Sequence, residues 1–543
     1  MRAVFALAAA IGLAPVDAGL AAPPAKPAHS PYAVEERSIS EIQADLSAGR
    51  VTSEQLVRLY LARIARLDRS GPTLRSVIAV NPRALEDARR LDAERRAGRL
   101  RGPLHGVPVL IKDNIETLDP LPTTAGSLAL KANLAGRDAP IVARLRAGGG
   151  VVLGKTNLSE WANIRSSRSI SGWSAVGGQV KNPYALDRNP CGSSSGSGAA
   201  VAASLAAGAV GTETDGSIVC PATSNGVVGL KPTVGLLSRS RIVPISHSQD
   251  TPGPMTRTVL DAALMLDAMA GSDPADPATL DADRRRGGYV SALTMDALKG
   301  RRLGVLRFCE GTNPDADAVF ESALSTLRAA GAELVDIKEI KGSAEVGAAE
   351  ETVLMTELKA DLNAYLATTP RAVKTRTLAD LIAFDYAHSG QEMALFGQED
   401  FEEAQKTTGL DDPKYRQALA TSRRLSGPEG IDRLLADNSI DAIVGPTGAP
   451  AFFTDPLRAG GGYRACGTSR LPAVSGHPHL SVPMGYIHGL PVGLSFIAGA
   501  WSEPKLLGFG YAFEQRARAR RAPTYAPSLL AMPDVARAMK PQG

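Results

Sequence analysis

Val107-Pro108-Val109-Leu110-Ile111 is an unbroken apolar run, opened by Gly106 and closed by Lys112-Asp113-Asn114. A run with no polar alternation is the pattern of a strand covered on both faces. Working outward, Val77-Ile78-Ala79-Val80 reads as a strand that stops at Asn81-Pro82, and residues 83–97 read as a helix with a polar face. On the other side a helix is expected over 139–147, then Gly148-Gly149-Gly150, then a strand over 151–153. Thr52 and Gln55 make a capping box, and Leu56, Leu59, Tyr60, Ile64 and Leu67 follow at helical spacing. Residues 302–306, 334–337 and 442–444 read as further strands. Such alternation predicts an α/β fold: one large domain with a mixed, mostly parallel twisted sheet and helices on both faces. The Asp-, Pro- and Arg-rich stretch 272–288 is the one candidate seam and is read as a surface loop.

The 60 Lys and Arg are nearly balanced by 56 Asp and Glu, with no long block of one sign. That removes the electrostatic footprint of a nucleic-acid binder, so the search turns to small-molecule chemistry. The four cysteines form no CxxC pair and the seven histidines no HExxH or HxxxH pair, so neither a metal nor a cofactor is expected. Cys191 and Cys220 lie close to the serines singled out below. They can pair or stand as two small buried thiols, and the second reading is favoured. At the N-terminus, Arg2 precedes an apolar stretch at 4–13 too short to span a membrane, and small residues follow at Gly19-Leu20-Ala21. The expectation is a signal peptide over 1–21 cleaved after Ala21, a Pro-rich linker over 22–36, and a domain over 37–540 in a periplasmic or secreted protein.

The most unusual stretch is Cys191-Gly192-Ser193-Ser194-Ser195-Gly196-Ser197-Gly198, which leads into Ala- and Val-rich sequence expected to be helical over 199–207. A flexible linker is the plain alternative, but linkers seldom enter helices made of small residues, which suit close packing. Gly192 to Gly196 formally matches GxSxG, the nucleophile elbow of α/β-hydrolases. The approach Asp187-Arg188-Asn189-Pro190 is no central strand, however, so the off-centre Ser193 is the better candidate than Ser194. A second Gly-rich turn, Gly211-Thr212-Glu213-Thr214-Asp215-Gly216-Ser217-Ile218, offers successive N–H groups of the kind that make an oxyanion hole. Lys112, at the end of an apolar strand, is an anomaly with a purpose, a snorkelling side chain, or the partner of an ion pair with Asp113.

Together these segments resemble the amidase signature family. Gly154-Lys155-Thr156-Asn157-Leu158-Ser159-Glu160-Trp161, Gly229-Leu230-Lys231-Pro232-Thr233, Ser481-Val482-Pro483-Met484-Gly485 and Gly489-Leu490-Pro491-Val492-Gly493-Leu494 extend the resemblance over nearly the whole chain. It implies a Ser–cis-Ser–Lys triad with Ser217 as nucleophile, Ser193 as bridging serine and Lys112 as base, and a cis peptide at Ser193-Ser194. The N–H groups of Thr214, Asp215, Gly216 and Ser217 would form the oxyanion hole. The motif variants, with Val219 where the family often has Arg, are most similar to the peptide amidase branch. The implied function is an exported amidase that forms an acyl-enzyme on a peptide or small-molecule amide and hydrolyses it with water, without stable membrane insertion. The alternatives are an aryl acylamide hydrolase with the same triad, a glutamine-hydrolysing component of an amidotransferase, and a catalytically silent binding protein. Tyr365, Phe384, Tyr386 and Phe396 are candidate acyl-pocket contacts.

Overall fold

The computed structural model describes residues 32–310, 313–457 and 467–541, so the expected signal peptide and most of the linker lie outside the described residues. From Val34 onward the chain forms one compact unit around an eleven-stranded sheet. Its strands are β1 (Val77–Val80), β2 (Pro108–Lys112), β3 (Val151–Thr156), β4 (Gly208–Glu213), β5 (Val228–Lys231), β6 (Thr251–Thr256), β7 (Arg302–Leu306), β8 (Glu333–Ile337), β9 (Ala442–Pro446), β10 (His479–Ile487) and β11 (Leu490–Ile497). Their order across the sheet is β1-β3-β2-β4-β6-β5-β10-β11-β9-β7-β8.

The sheet is mixed, as expected, but parallel pairing is confined to β3-β2-β4 and β9-β7-β8. The other six adjacent pairs are antiparallel, which corrects the mostly parallel balance read from the strand-helix alternation. The reason lies in the strands that alternation did not reveal. β4, β5, β6, β10 and β11 are rich in Gly, Pro, Ser and Thr, so branched aliphatics do not mark them, and of their antiparallel pairings only β10-β11 is a tight hairpin. Every residue of β2, β3, β4, β5, β6 and β11 is buried, so the middle of the sheet is covered on both faces.

Strands on both sides of residues 272–288 belong to this one sheet, so the stretch is no seam between domains. It is tied down by Asp276, which pairs with the Arg239 guanidinium, and by Asp273, which accepts from Ser238 Oγ at 2.6 Å. The helix Ser195–Ala202 starts earlier and ends earlier than expected, and all eight of its residues are buried. Its size restriction is severe at Gly196, where a Cβ would come within 2.3 Å of Ser76 O and 2.4 Å of Asn157 O. The helix therefore lies directly on backbone, and its first turn sets where Ser193 can sit.

Candidate active site

β2 lies between β3 and β4, so its last residue delivers the Lys112 side chain into the interior, where it is fully buried. Lys112 Nζ donates to Ser193 Oγ at 2.8 Å, to Thr212 Oγ1 at 2.9 Å and to Thr212 O at 3.3 Å. Asn114 Nδ2 donates to the same Thr212 hydroxyl at 3.0 Å. All three acceptors of the lysine are neutral. Burial pushes its pKa down to about 7, against the attraction of the Asp250 and Glu213 carboxylates. The snorkelling reading fails because Lys112 is fully buried, and the ion-pair reading fails because Asp113 turns instead to the buried Lys155 at 3.5 Å.

Ser193 follows a cis peptide bond at Gly192-Ser193, one bond earlier than the expected Ser193-Ser194. A cis bond brings consecutive Cα atoms to about 2.9 Å, and glycine offers the smaller neighbour there. A Cβ on Gly192 would also lie 2.2 Å from Ser159 Oγ. The neighbouring serines have separate structural duties. Ser194 accepts from Thr212 N at 3.1 Å and donates to Thr212 O at 3.0 Å through its hydroxyl, and its N–H donates to Ser217 O at 3.1 Å. Ser195 Oγ donates to Cys191 O and Ser197 Oγ to Val210 O. Ser194, the centre of the formal GxSxG match, is thus a staple between three segments.

The turn after β4 carries Ser217. Glu213 Oε2 accepts from the N–H groups of Ile218 at 2.6 Å and Val219 at 3.0 Å, which closes the turn onto the helix Val219–Ser224. Gly216 is left-handed, with φ +78°, a conformation that favours glycine. Among the described residues the N–H groups of Thr214, Asp215, Gly216 and Ser217 find no protein acceptor. Ser217 itself is buried to 8% exposure. Cys191 and Cys220 form a disulfide with Cα atoms 5.8 Å apart, which corrects the favoured reading of two separate thiols. The bridge ties the Ser193 segment to the Ser217 segment, a closure invisible to spacing in sequence.

A cavity of about 550 Å³ adjoins this constellation, with Asn114, Thr212, Thr214 and Asp250 in its wall and Ile242 and Val243 beyond. Of the four aromatic candidates only Tyr365 reaches that wall. Phe384 stacks on His388, Tyr386 is exposed and bonds Glu402, and Phe396 packs against Trp173. Sequence reading missed Thr212 as the second partner of Lys112, Glu213 as the lock of the turn, and Asp250. Thr212 and Glu213 lay within the quoted Gly-rich turn, which was read for its N–H groups and not for these side chains, and Asp250 had no local signal. His247, Glu357 and Asp361 bring one ligand atom each within 4.8 Å of one another. The imidazole there bridges two carboxylates, and Glu357 already accepts from Ser248 and Tyr415.

The family model for amidases matches residues 55–507. A probable amidase of Arabidopsis thaliana is 43% identical over 508 residues, covering 91% of this chain and 93% of the relative. A putative amidase of Schizosaccharomyces pombe is 35% identical over 519 residues, covering 91% and 87%. Among solved structures, the native peptide amidase of Stenotrophomonas maltophilia superposes with a TM-score of 0.84 at 52% identity, covering 90% of this chain and 99% of that one. The chain belongs to the amidase family, and it is an amide-hydrolysing enzyme.

Proposed function

We propose that the protein is an exported amidase that cleaves C-terminal amide groups of peptides through an acyl-enzyme on Ser217, Ser193 and Lys112. The observation that carries this reading is the 2.8 Å contact between Ser193 Oγ and a fully buried lysine amine whose pKa is lowered to about 7. An ordinary lysine is almost wholly protonated at neutral pH, whereas one near 7 is neutral in about half the molecules. Neutral Lys112 takes the Ser193 proton while Ser193 takes that of Ser217, whose oxygen bonds to the amide carbon. The carbonyl π pair moves onto oxygen, held by the N–H groups of Thr214, Asp215, Gly216 and Ser217, a contribution of about 3 kcal/mol per effective donor. The proton returns through Ser193 to the amide nitrogen, the C–N bond breaks, and ammonia leaves. Water then attacks the acyl-enzyme by the same proton route.

Similarity to the solved peptide amidase supports the peptide amide substrate over an aryl acylamide. The apolar N-terminal stretch and the disulfide support export, because such bonds persist in oxidising compartments. The test is product detection by mass spectrometry from peptide amides, anilides and simple aliphatic amides, with the Ser217→Ala protein as blank. Ammonia mainly from peptide amides is the expected result, and preference for anilides moves the function to aryl acylamide hydrolysis. The mature protein is expected to begin at Ala22, which N-terminal sequencing reads directly.

A further inference from the structure

Among the described residues no carboxylate touches Lys112, yet its role on the reading above requires it to become an ammonium each time a serine proton arrives. Its surroundings are countable. From β4 come the neutral oxygens of Thr212, and from the loop before the helix Ser195–Ala202 comes the Ser193 hydroxyl. Two carboxylates act on it through space, Asp250 and Glu213. Glu213 is already committed to the N–H groups of Ile218 and Val219, and the charge of Lys231 offsets its burial. Asp113, beside Lys112 in sequence, is paired with Lys155.

Asp250 stands just before β6, half-buried, with its carboxylate held in three directions. Oδ1 accepts from Thr214 Oγ1 at 2.6 Å, while Oδ2 accepts from the N–H groups of Ile245 at 2.8 Å and Ser246 at 3.0 Å. One carboxylate thus grips the first residue of the turn that carries Ser217, from a place in the same cavity wall as Thr212, the lysine's partner. We propose that Asp250 is a positioning residue for amide hydrolysis: it orients Thr214 in the oxyanion turn and supplies the negative charge that favours the ammonium Lys112 forms on accepting the serine proton. Burial raises the Asp250 pKa to about 6, so the carboxylate carries this charge from about pH 7 upward.

The proposal rests on Lys112 being the base, and the test separates the two. The pH dependence of kcat/KM on a peptide amide is measured for wild type, Asp250→Asn and Thr214→Val. Asparagine keeps an acceptor for Thr214 but removes the charge. The ascending limb is expected to move to lower pH by about half to one unit, with a plateau several-fold lower because the base is weaker. Thr214→Val loses the hydroxyl contact and keeps the charge, so its plateau falls while its limb stays. A limb unmoved in Asp250→Asn overturns the proposal and leaves the triad standing, since a merely structural aspartate would lower the plateau alone. A wild type with no limb between pH 5 and 9 overturns both. If Asp250→Asn does not fold, Asp250→Ala, which also removes the charge, is expected to show the same shift of the limb, and an unmoved limb there overturns the proposal equally.

Discussion

Burying an amine with only neutral oxygens around it costs folding free energy, and at Lys112 that cost has a measurable signature. The folded-state pKa near 7 lies below the ordinary 10.5, so between those values the unfolded chain binds more protons than the native one. Stability therefore rises with pH across that window, by about 1.4 kcal/mol per unit from this group. Lys112→Met is expected to lose at least about a thousandfold in turnover and to lack this rise, so its stability advantage over wild type narrows from pH 7 to 10 in denaturant titrations. A constant difference would mean that the amine is not depressed. The Ser217→Ala and Ser193→Ala proteins are each expected to lose most turnover while keeping the wild-type melting temperature. Lys112 and Ser193 stand out against their own segments, a charge ending an apolar run and a hydroxyl in a glycine-rich stretch, and the fold brings them to 2.8 Å, whereas Ser217 is singled out by the family resemblance alone. Asp250 and Thr212 were not legible, because nothing local distinguishes them and only the β2-β4-β6 order brings them to the lysine.

The helix Ser195–Ala202 and the disulfide act as a pair of clamps on the two serine segments. Gly196→Ala forces a Cβ onto two carbonyl oxygens that belong to backbone and cannot rotate away. A loss of about 2–3 kcal/mol is expected, with a fall in kcat as Ser193 is displaced, checked by thermal unfolding beside steady-state kinetics. Replacing Cys191 and Cys220 by serine opens a link spanning 29 residues. The expected loss is about 3–4 kcal/mol, seen as a lower midpoint in urea. Strands β1, β2, β7 and β9 were readable because branched aliphatics carry them. β6 was not, because Pro252 and Pro254 argue against a central strand. The prolines are two residues apart, so both missing donors fall on one edge, and β5 pairs with β6 only at Thr256 and Met255.

The α/β class was legible from alternation, whereas five of the six antiparallel pairings, all but the β10-β11 hairpin, depend on returns between segments well apart in the chain. β5 is made early, at residues 228–231, yet its neighbours in the sheet are β6 and β10, and β10 begins only at His479. The halves of the sheet meet along that one seam, where His479, Leu480 and Ser481 face Lys231, Leu230 and Gly229. The segments of Lys112, Ser193 and Ser217 all precede β6, but β10, which joins their half of the sheet to the rest, comes after every strand except β11. Synthesis order and spatial order are therefore out of step. A chain ending before residue 479 leaves β5 with a bare edge, and such fragments are expected to aggregate rather than fold, whatever the integrity of Lys112, Ser193 and Ser217. Loop closure across about 250 residues also places this protein among slow folders, so refolding yield, more than equilibrium stability, sets how much active enzyme survives dilution from denaturant.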